Sequence, residues 1–242
     1  MIIEHFIVGP LQMRCSVVTN PSDGATIIID GGEEADRIIE WIVSRDGVGP
    51  DATIGAEMDQ SVDRVVHALI NTHAHFDHTG AIPHLKEHFD VPWLLHGSDH
   101  ELQRLAQVSG RMYGIHLPSP AIPDGTFEHG DVLMYGGMRF DVLHTPGHTT
   151  GGVCFLLHMD EGPCHLFVGD TLFAGSVGRT DIPMSGGDPE TLERSIRTVL
   201  WPLDDDTVVH PGHGPLTTIG HERRTNPFVG EHATGLGRGR YH

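Results

Sequence analysis

The chain is poor in cysteine, in basic residues and in long apolar runs, and each shortage narrows what it can be. Three cysteines (Cys15, Cys154, Cys164) in 242 residues, with no CxxC spacing among them, argue against a disulfide framework and against a thiolate zinc site; they read as reduced core thiols. Only 15 Lys and Arg stand against 33 Asp and Glu, a formal charge of -18, and so acidic a chain repels phosphate backbones. Arg223, Arg224, Arg238 and Arg240 are too few for a nucleic-acid track and read as part of a solvated tail. No apolar run approaches the roughly 18 residues of a spanning helix. The first ten residues carry an early acid, no basic n-region and no small-residue cleavage site. The expectation is a cytoplasmic protein with neither a nucleic acid nor a membrane as partner. No fixed-period repeat is present, which argues against a solenoid.

What the chain does have is 38% hydrophobic residues, 31 Gly and 16 Pro, the composition of a loop-rich globular enzyme. Its length fits one large α/β domain, placed at 1–234 with a frayed tail at 235–242. Strands are expected near 2–8, 14–19, 25–30, 65–70, 92–96, 138–142, 153–158, 165–168 and 207–210, and helices at 33–44, 78–89, 98–108 and 188–200. Asp77 is the expected N-cap of the second helix. Residues 46–62, without periodicity, read equally as a lid and as a tolerated insertion. A second loop is expected at 108–125.

The chemistry is concentrated in Thr72-His73-Ala74-His75-Phe76-Asp77-His78, three imidazoles and a carboxylate directly after the apolar run 65–70. Imidazole and carboxylate suit zinc, iron or manganese, and two His one residue apart on an extended segment can point the same way. The bland alternative is a His-rich loop in a chain with 20 His. Three later words weaken it: Thr145-Pro146-Gly147-His148, Gly169-Asp170-Thr171 and Pro211-Gly212-His213-Gly214. Each sets one further ligand in a Gly-containing turn after a strand-like run, and the carboxyl edge of strands is where open α/β sheets gather their sites. His144 lies close enough to His148 to support it from behind, and Asp30 closes a strand near the same edge. Gly147, Gly151 and Gly152 read as turn makers, since no phosphate-loop Lys follows.

The order HxHxDH, TPGH, GDT, PGHG resembles the metallo-β-lactamase superfamily, and within it the short hydroxyacylglutathione hydrolase (glyoxalase II)-like branch. The words Gly178-Arg179-Thr180-Asp181 and Glu222-Arg223-Arg224-Thr225-Asn226-Pro227-Phe228 extend the likeness. The resemblance implies a four-layer αββα sandwich with two mixed β-sheets. It also implies two divalent metal ions, with Zn2+ the first expectation and Fe or Mn as alternatives: His73, His75 and His148 on one, Asp77, His78 and His213 on the other, Asp170 bridging. Asp77 and Asp170 would then serve catalysis as well. Two cations about 3.5–4 Å apart lower the pKa of a shared water toward ~7, so the implied activity is hydrolysis of a small-molecule thioester by a metal-bridging hydroxide. A thiolate leaves without a dedicated acid, thiol pKa values lying near ~8.5. Arg179 could pair with a substrate carboxylate or with Asp181. Two alternatives stand: a mononuclear iron persulfide dioxygenase using His73, His148 and Asp170 as a facial triad, and a non-catalytic metal-binding scaffold.

Overall fold

The structure is a computed structural model that describes residues 1–44, 49–55, 62–233 and 235–236. The chain is organised as two compact units. One comprises Met1–Leu95, His100–Phe127 and Met134–Met138; the other comprises His96–Asp99, Glu128–Leu133 and the chain from Arg139 onward.

The first unit is built on strands β1 (Ile2–Val8), β2 (Met13–Thr19), β3 (Ala25–Ile29), β4 (Ala52–Gly55), β5 (Val65–Ile70) and β6 (Trp93–Leu94) in the order β4-β1-β2-β3-β5-β6. β1, β2 and β3 pair antiparallel, whereas β3–β5 and β5–β6 are parallel, so the sheet is mixed. Every residue of β2 and β3 is buried, as expected of central strands covered on both faces. Helix α1 (Ala35–Ser44) turns Ala35, Ile38, Ile39 and Ile42 inward, the i, i+3, i+4, i+7 stripe of an amphipathic helix. These side chains join Phe6, Val17, Ile28, Leu69, Ile82, Leu85 and Trp93 in one core. Each such burial contributes roughly 1.5–3 kcal/mol.

Three expectations for residues up to 125 need correction. The single helix placed at 78–89 is two helices, α2 (Phe76–Thr79) and α3 (Ile82–Phe89), with Ala81 at the N-cap of the second. Asp77 is therefore inside α2, whose N-cap is His75. The ladder is interrupted there because Ala81 N–H donates to the Gly32 carbonyl and Pro83, in the first turn of α3, has no N–H to give Thr79; Gly80 itself keeps helical angles and packs closely against Leu117 and the Gly32 carbonyl. Within 46–62, Ala52–Gly55 is a strand on the β1 edge rather than loop; residues 45–48 and 56–61 lie outside the described residues. The helix expected at 98–108 is divided into a 3-10 turn at Gly97–Asp99, α4 (His100–Arg104) and α5 (Ala106–Met112), the last running into the loop placed at 108–125.

The second sheet follows the order β14-β13-β10-β9-β8-β7, formed by β7 (Val132–Tyr135), β8 (Met138–His144), β9 (Val153–Leu157), β10 (His165–Gly169), β13 (Val208–Pro211) and β14 (Thr217–Thr218). β10 and β13 are parallel and the pairs β8–β9, β9–β10 and β13–β14 antiparallel. A two-stranded ribbon, β11 (Leu172–Phe173) with β12 (Ser176–Val177), follows β10. Helix α6 (Pro189–Ser195) starts at Asp188, whose side chain accepts from Thr191 N–H at 2.7 Å, and Ile196–Leu200 continues it as a π-turn. Leu166, Val168, Leu192, Ile196, Leu200, Val209 and Ile219 form this unit's core. Arg223 and Arg224, read as tail, sit instead on helix α7 (Ile219–Thr225) and pair with Asp205. Among the described residues no helix is long and apolar enough to cross a membrane. Cys15, Cys154 and Cys164 are thiols, and burial pushes the Cys15 thiol up.

Candidate metal centre

In the first unit, His73 and His75 follow β5 on extended chain, and Asp77 and His78 ride the single turn of α2; all four are buried. Ligand atoms of His73 and His75, of His73 and His78, and of Asp77 and His78 lie within 4.8 Å of each other. The His73 and His75 rings meet edge to face, with Nε2 of the first 3.0 Å from Nδ1 of the second.

The protons at this cluster can be assigned from their partners. Asp30, 3% exposed at the end of β3, accepts from Thr72 N–H and Thr72 Oγ1–H, both at 2.7 Å, and from His78 Nδ1–H at 3.0 Å. Its φ of 53° is left-handed, a conformation that Asp tolerates better than most side chains. Because Thr72 spends its one hydroxyl proton on Asp30, its oxygen accepts from His73 Nδ1 at 3.1 Å. Both rings thus carry the proton on Nδ1 and present Nε2 as the ligand atom. Asn71 adds a second clamp: its amide donates to the His78 carbonyl at 2.8 Å and accepts from Trp93 Nε1 at 2.9 Å.

In the second unit, His148 lies in the turn after β8, Asp170 directly after β10 and His213 just past β13. Nε2 of His148 and Nε2 of His213 each lie 3.6 Å from the same Asp170 oxygen. His148 Nδ1–H donates to the Arg179 carbonyl at 2.6 Å, again leaving Nε2 as the ligand atom. Gly178 makes this possible, since a β-carbon there would stand 1.8 Å from the Asp170 carbonyl and 3.0 Å from His148 Nδ1. The contribution of Arg179 is therefore its backbone; its side chain pairs with Asp181 at 2.8 Å, both exposed, and holds that carboxyl low. His144, the last residue of β8, donates from Nε2 to the Thr150 carbonyl at 3.1 Å and stacks on His96, so it braces the turn that carries His148. Glu222 and Asn226 grip the β11–β12 ribbon through Gly175 N–H and the Ser176 carbonyl.

This donor set fits divalent cations. Metal-ligating imidazoles have one nitrogen tied to a carboxylate, carbonyl or hydroxyl so that the other points at the ion, and that arrangement recurs at His73, His78 and His148. Sequence reasoning assigned no role to Asn71, Gly178 or Asp99. Asn71 and Gly178 stand beside quoted words and could have been found by asking what fixes each ligand ring; Asp99 had no local signal.

The chain belongs to the metallo-β-lactamase superfamily, whose family model matches residues 8–213. Its fold is accordingly the α/β four-layer class expected, with two mixed sheets and flanking helices. It is 38% identical over 231 residues to "Hydroxyacylglutathione hydrolase GloC" of Haemophilus influenzae, covering 95% of this chain and 98% of that protein. The crystal structure of BLEG-1 B3 metallo-β-lactamase superposes with a TM-score of 0.79 at 33% identity, over 95% of this chain and 99% of the other. TTHA1623, solved in a di-iron-bound form, gives a TM-score of 0.75 at 37% identity, over 92% of this chain and 98% of the other.

Proposed function

We propose that this protein is a metal-dependent hydrolase of small-molecule thioesters, of the hydroxyacylglutathione hydrolase type, with two divalent ions in its site. The ligand sets proposed are His73, His75 and His148 for one ion and Asp77, His78 and His213 for the other, with Asp170 shared by both. Zn2+ is the proposed metal, and the same donors accept iron or manganese. When bound, the ions supply a water of lowered pKa and a Lewis-acid field for the substrate carbonyl oxygen.

The observation that carries this reading is the proton assignment: at His73, His78 and His148 one ring nitrogen is anchored, so the opposite one is fixed in direction before any ion arrives. A site held this way is preorganised, and preorganised charge costs no rearrangement when the reaction occurs. Asp77 and Asp170 are the carboxylates of the set; Asp77 is suited to hold the attacking water through its proton, and Asp170 to keep His148 and His213 aligned. A thiolate leaving group asks for no general acid. The similarity to GloC over nearly the whole chain favours an acyl-glutathione substrate.

The test is hydrolysis of an acyl-glutathione thioester by metal-loaded protein, by protein stripped with a chelator and reloaded, and by Asp170→Asn. Activity lost on stripping, restored on reloading and absent in Asp170→Asn supports the reading. Full turnover by the stripped protein refutes it.

A further inference from the structure

We propose that Asp99 is a positioning residue of the His148 turn: a buried carboxylate that holds the residues following His148, while the Arg179 carbonyl holds its ring. This rests on the reading of His148 as a metal ligand.

The turn runs from Thr145 to Gly152 and is closed at its base by Thr145 N–H donating to the Gly152 carbonyl at 2.7 Å. Inside it, Gly147 N–H donates to the Thr149 carbonyl at 2.9 Å. Gly147 has φ +134°, and a β-carbon there would stand 2.3 Å from Leu192 N. These contacts shape the turn, and Thr150 N–H adds a bond to the Ser185 carbonyl at 3.2 Å, but none of them takes the Thr149 hydroxyl or the Gly151 N–H. Asp99, fully buried, does so: one carboxylate oxygen accepts from Thr149 Oγ1–H at 2.9 Å and the other from Gly151 N–H at 2.6 Å. The segment adds two neighbouring contacts, Thr150 Oγ1–H to the Ser98 carbonyl at 3.0 Å and the His96–His144 stack at 4.3 Å.

Residue type matters here. Burying a carboxylate costs several kcal/mol unless donors surround it, and both partners named are donors, so an acceptor-only group suits them. Asparagine would turn an NH2 toward one of them. Gly151 must remain glycine, because a β-carbon there would approach Asp99 Cγ and Oδ1 to 2.7 Å. With Asp99 gripping the residue after His148 and Arg179 accepting from its ring, the imidazole is constrained at both backbone and side chain. Losing such an outer contact lowers metal affinity by about 10–100-fold.

The experiment titrates the metal-free full chain with Zn2+ against a chelating dye, for wild type, Asp99→Asn, Thr149→Val and Thr149→Ser. The expected result is one of two equivalents weakened about 10-fold or more in Asp99→Asn, a smaller weakening in Thr149→Val, and recovery in Thr149→Ser, which keeps the hydroxyl. If Asp99→Asn fails to fold, the Thr149 pair decides alone. Equal affinity of wild type and Thr149→Val for both equivalents overturns the proposal, as does equal weakening in Thr149→Val and Thr149→Ser. Wild type that binds no Zn2+ overturns the metal-site reading itself, a different failure.

Discussion

The Asp30 carboxylate accepts from Nδ1 of His78 across 48 residues of sequence, at 3.0 Å and with both side chains buried. One oxygen of the same carboxylate also takes the Thr72 hydroxyl, so a single acid fixes the proton position on two imidazoles of the proposed ligand set, His78 directly and His73 through Thr72.

Replacing Asp30 by Asn leaves the left-handed backbone acceptable but removes charge and one acceptor from a buried three-donor network. Asp30→Asn should lower Zn2+ affinity by about 10–100-fold and destabilise the fold by roughly 1–3 kcal/mol. Metal competition and urea unfolding measure the two effects separately. Wild-type affinity in a folded variant would remove Asp30 from the account.

Gly178→Ala should be far more damaging than its single methyl suggests. The added carbon meets backbone, the Asp170 carbonyl at 1.8 Å, and cannot be relieved by rotating a side chain. Overpacking of this kind costs about 1–3 kcal/mol or more, and here the shift displaces Asp170 and His148 together. Both metal content by elemental analysis and the thermal midpoint should fall.

Arg179→Ala separates backbone from side chain. The His148 ring binds the Arg179 carbonyl, which alanine keeps, and the exposed Arg179–Asp181 pair is screened by solvent and contributes little. Metal content should be unchanged and kcat within about threefold of wild type. A selective rise in KM for substrates bearing a carboxylate would instead assign the guanidinium to substrate binding.

The protein should lose stability on mild acidification through His96. Burial, and then the stacked His144, hold its imidazole below the ordinary value of 6.5, against the opposing pull of Glu128 and Asp99. Because the folded pKa lies below the unfolded one, the stabilisation is present above about pH 6.5 and lost as pH falls through the folded value, at up to about 1.4 kcal/mol per pH unit for one proton. Urea unfolding of metal-free protein at pH 7.5 and 5.5 should show a drop that is smaller in His96→Gln. An identical drop in both proteins would assign it to other groups.

These groups differ in how far the sequence announces them. His73, His75, Asp77 and His78 stand in one seven-residue word after a largely apolar run interrupted only by His67, so local chemistry and strand patterning suffice to find them. The core strands β3 and β9 are likewise legible, being almost wholly apolar runs buried throughout, whereas the equally buried β2 and β10 include Arg14 and Ser16 and, in β10, His165. Asp99 was hidden because its partners Thr149 and Gly151 lie 50 and 52 residues away, and no spacing rule reaches that far. β7 is hard to read for a different reason: Val132–Tyr135 is apolar throughout, so its alternation of exposed and half-buried positions leaves no polar/apolar alternation in the sequence, and four residues are too few to declare a strand. The 78–89 segment reads as one helix from its apolar stripe, yet Pro83, in the first turn of α3, is the local mark of the break, since it has no N–H to give the Thr79 carbonyl.

The most direct test is the metal stoichiometry of the purified protein, by elemental analysis alongside thioester turnover. The account predicts two equivalents of divalent metal per chain, both removed by chelation with loss of hydrolysis and both restored with it. One equivalent of iron, with oxygen consumed on a glutathione persulfide and no thioester hydrolysed, would contradict it.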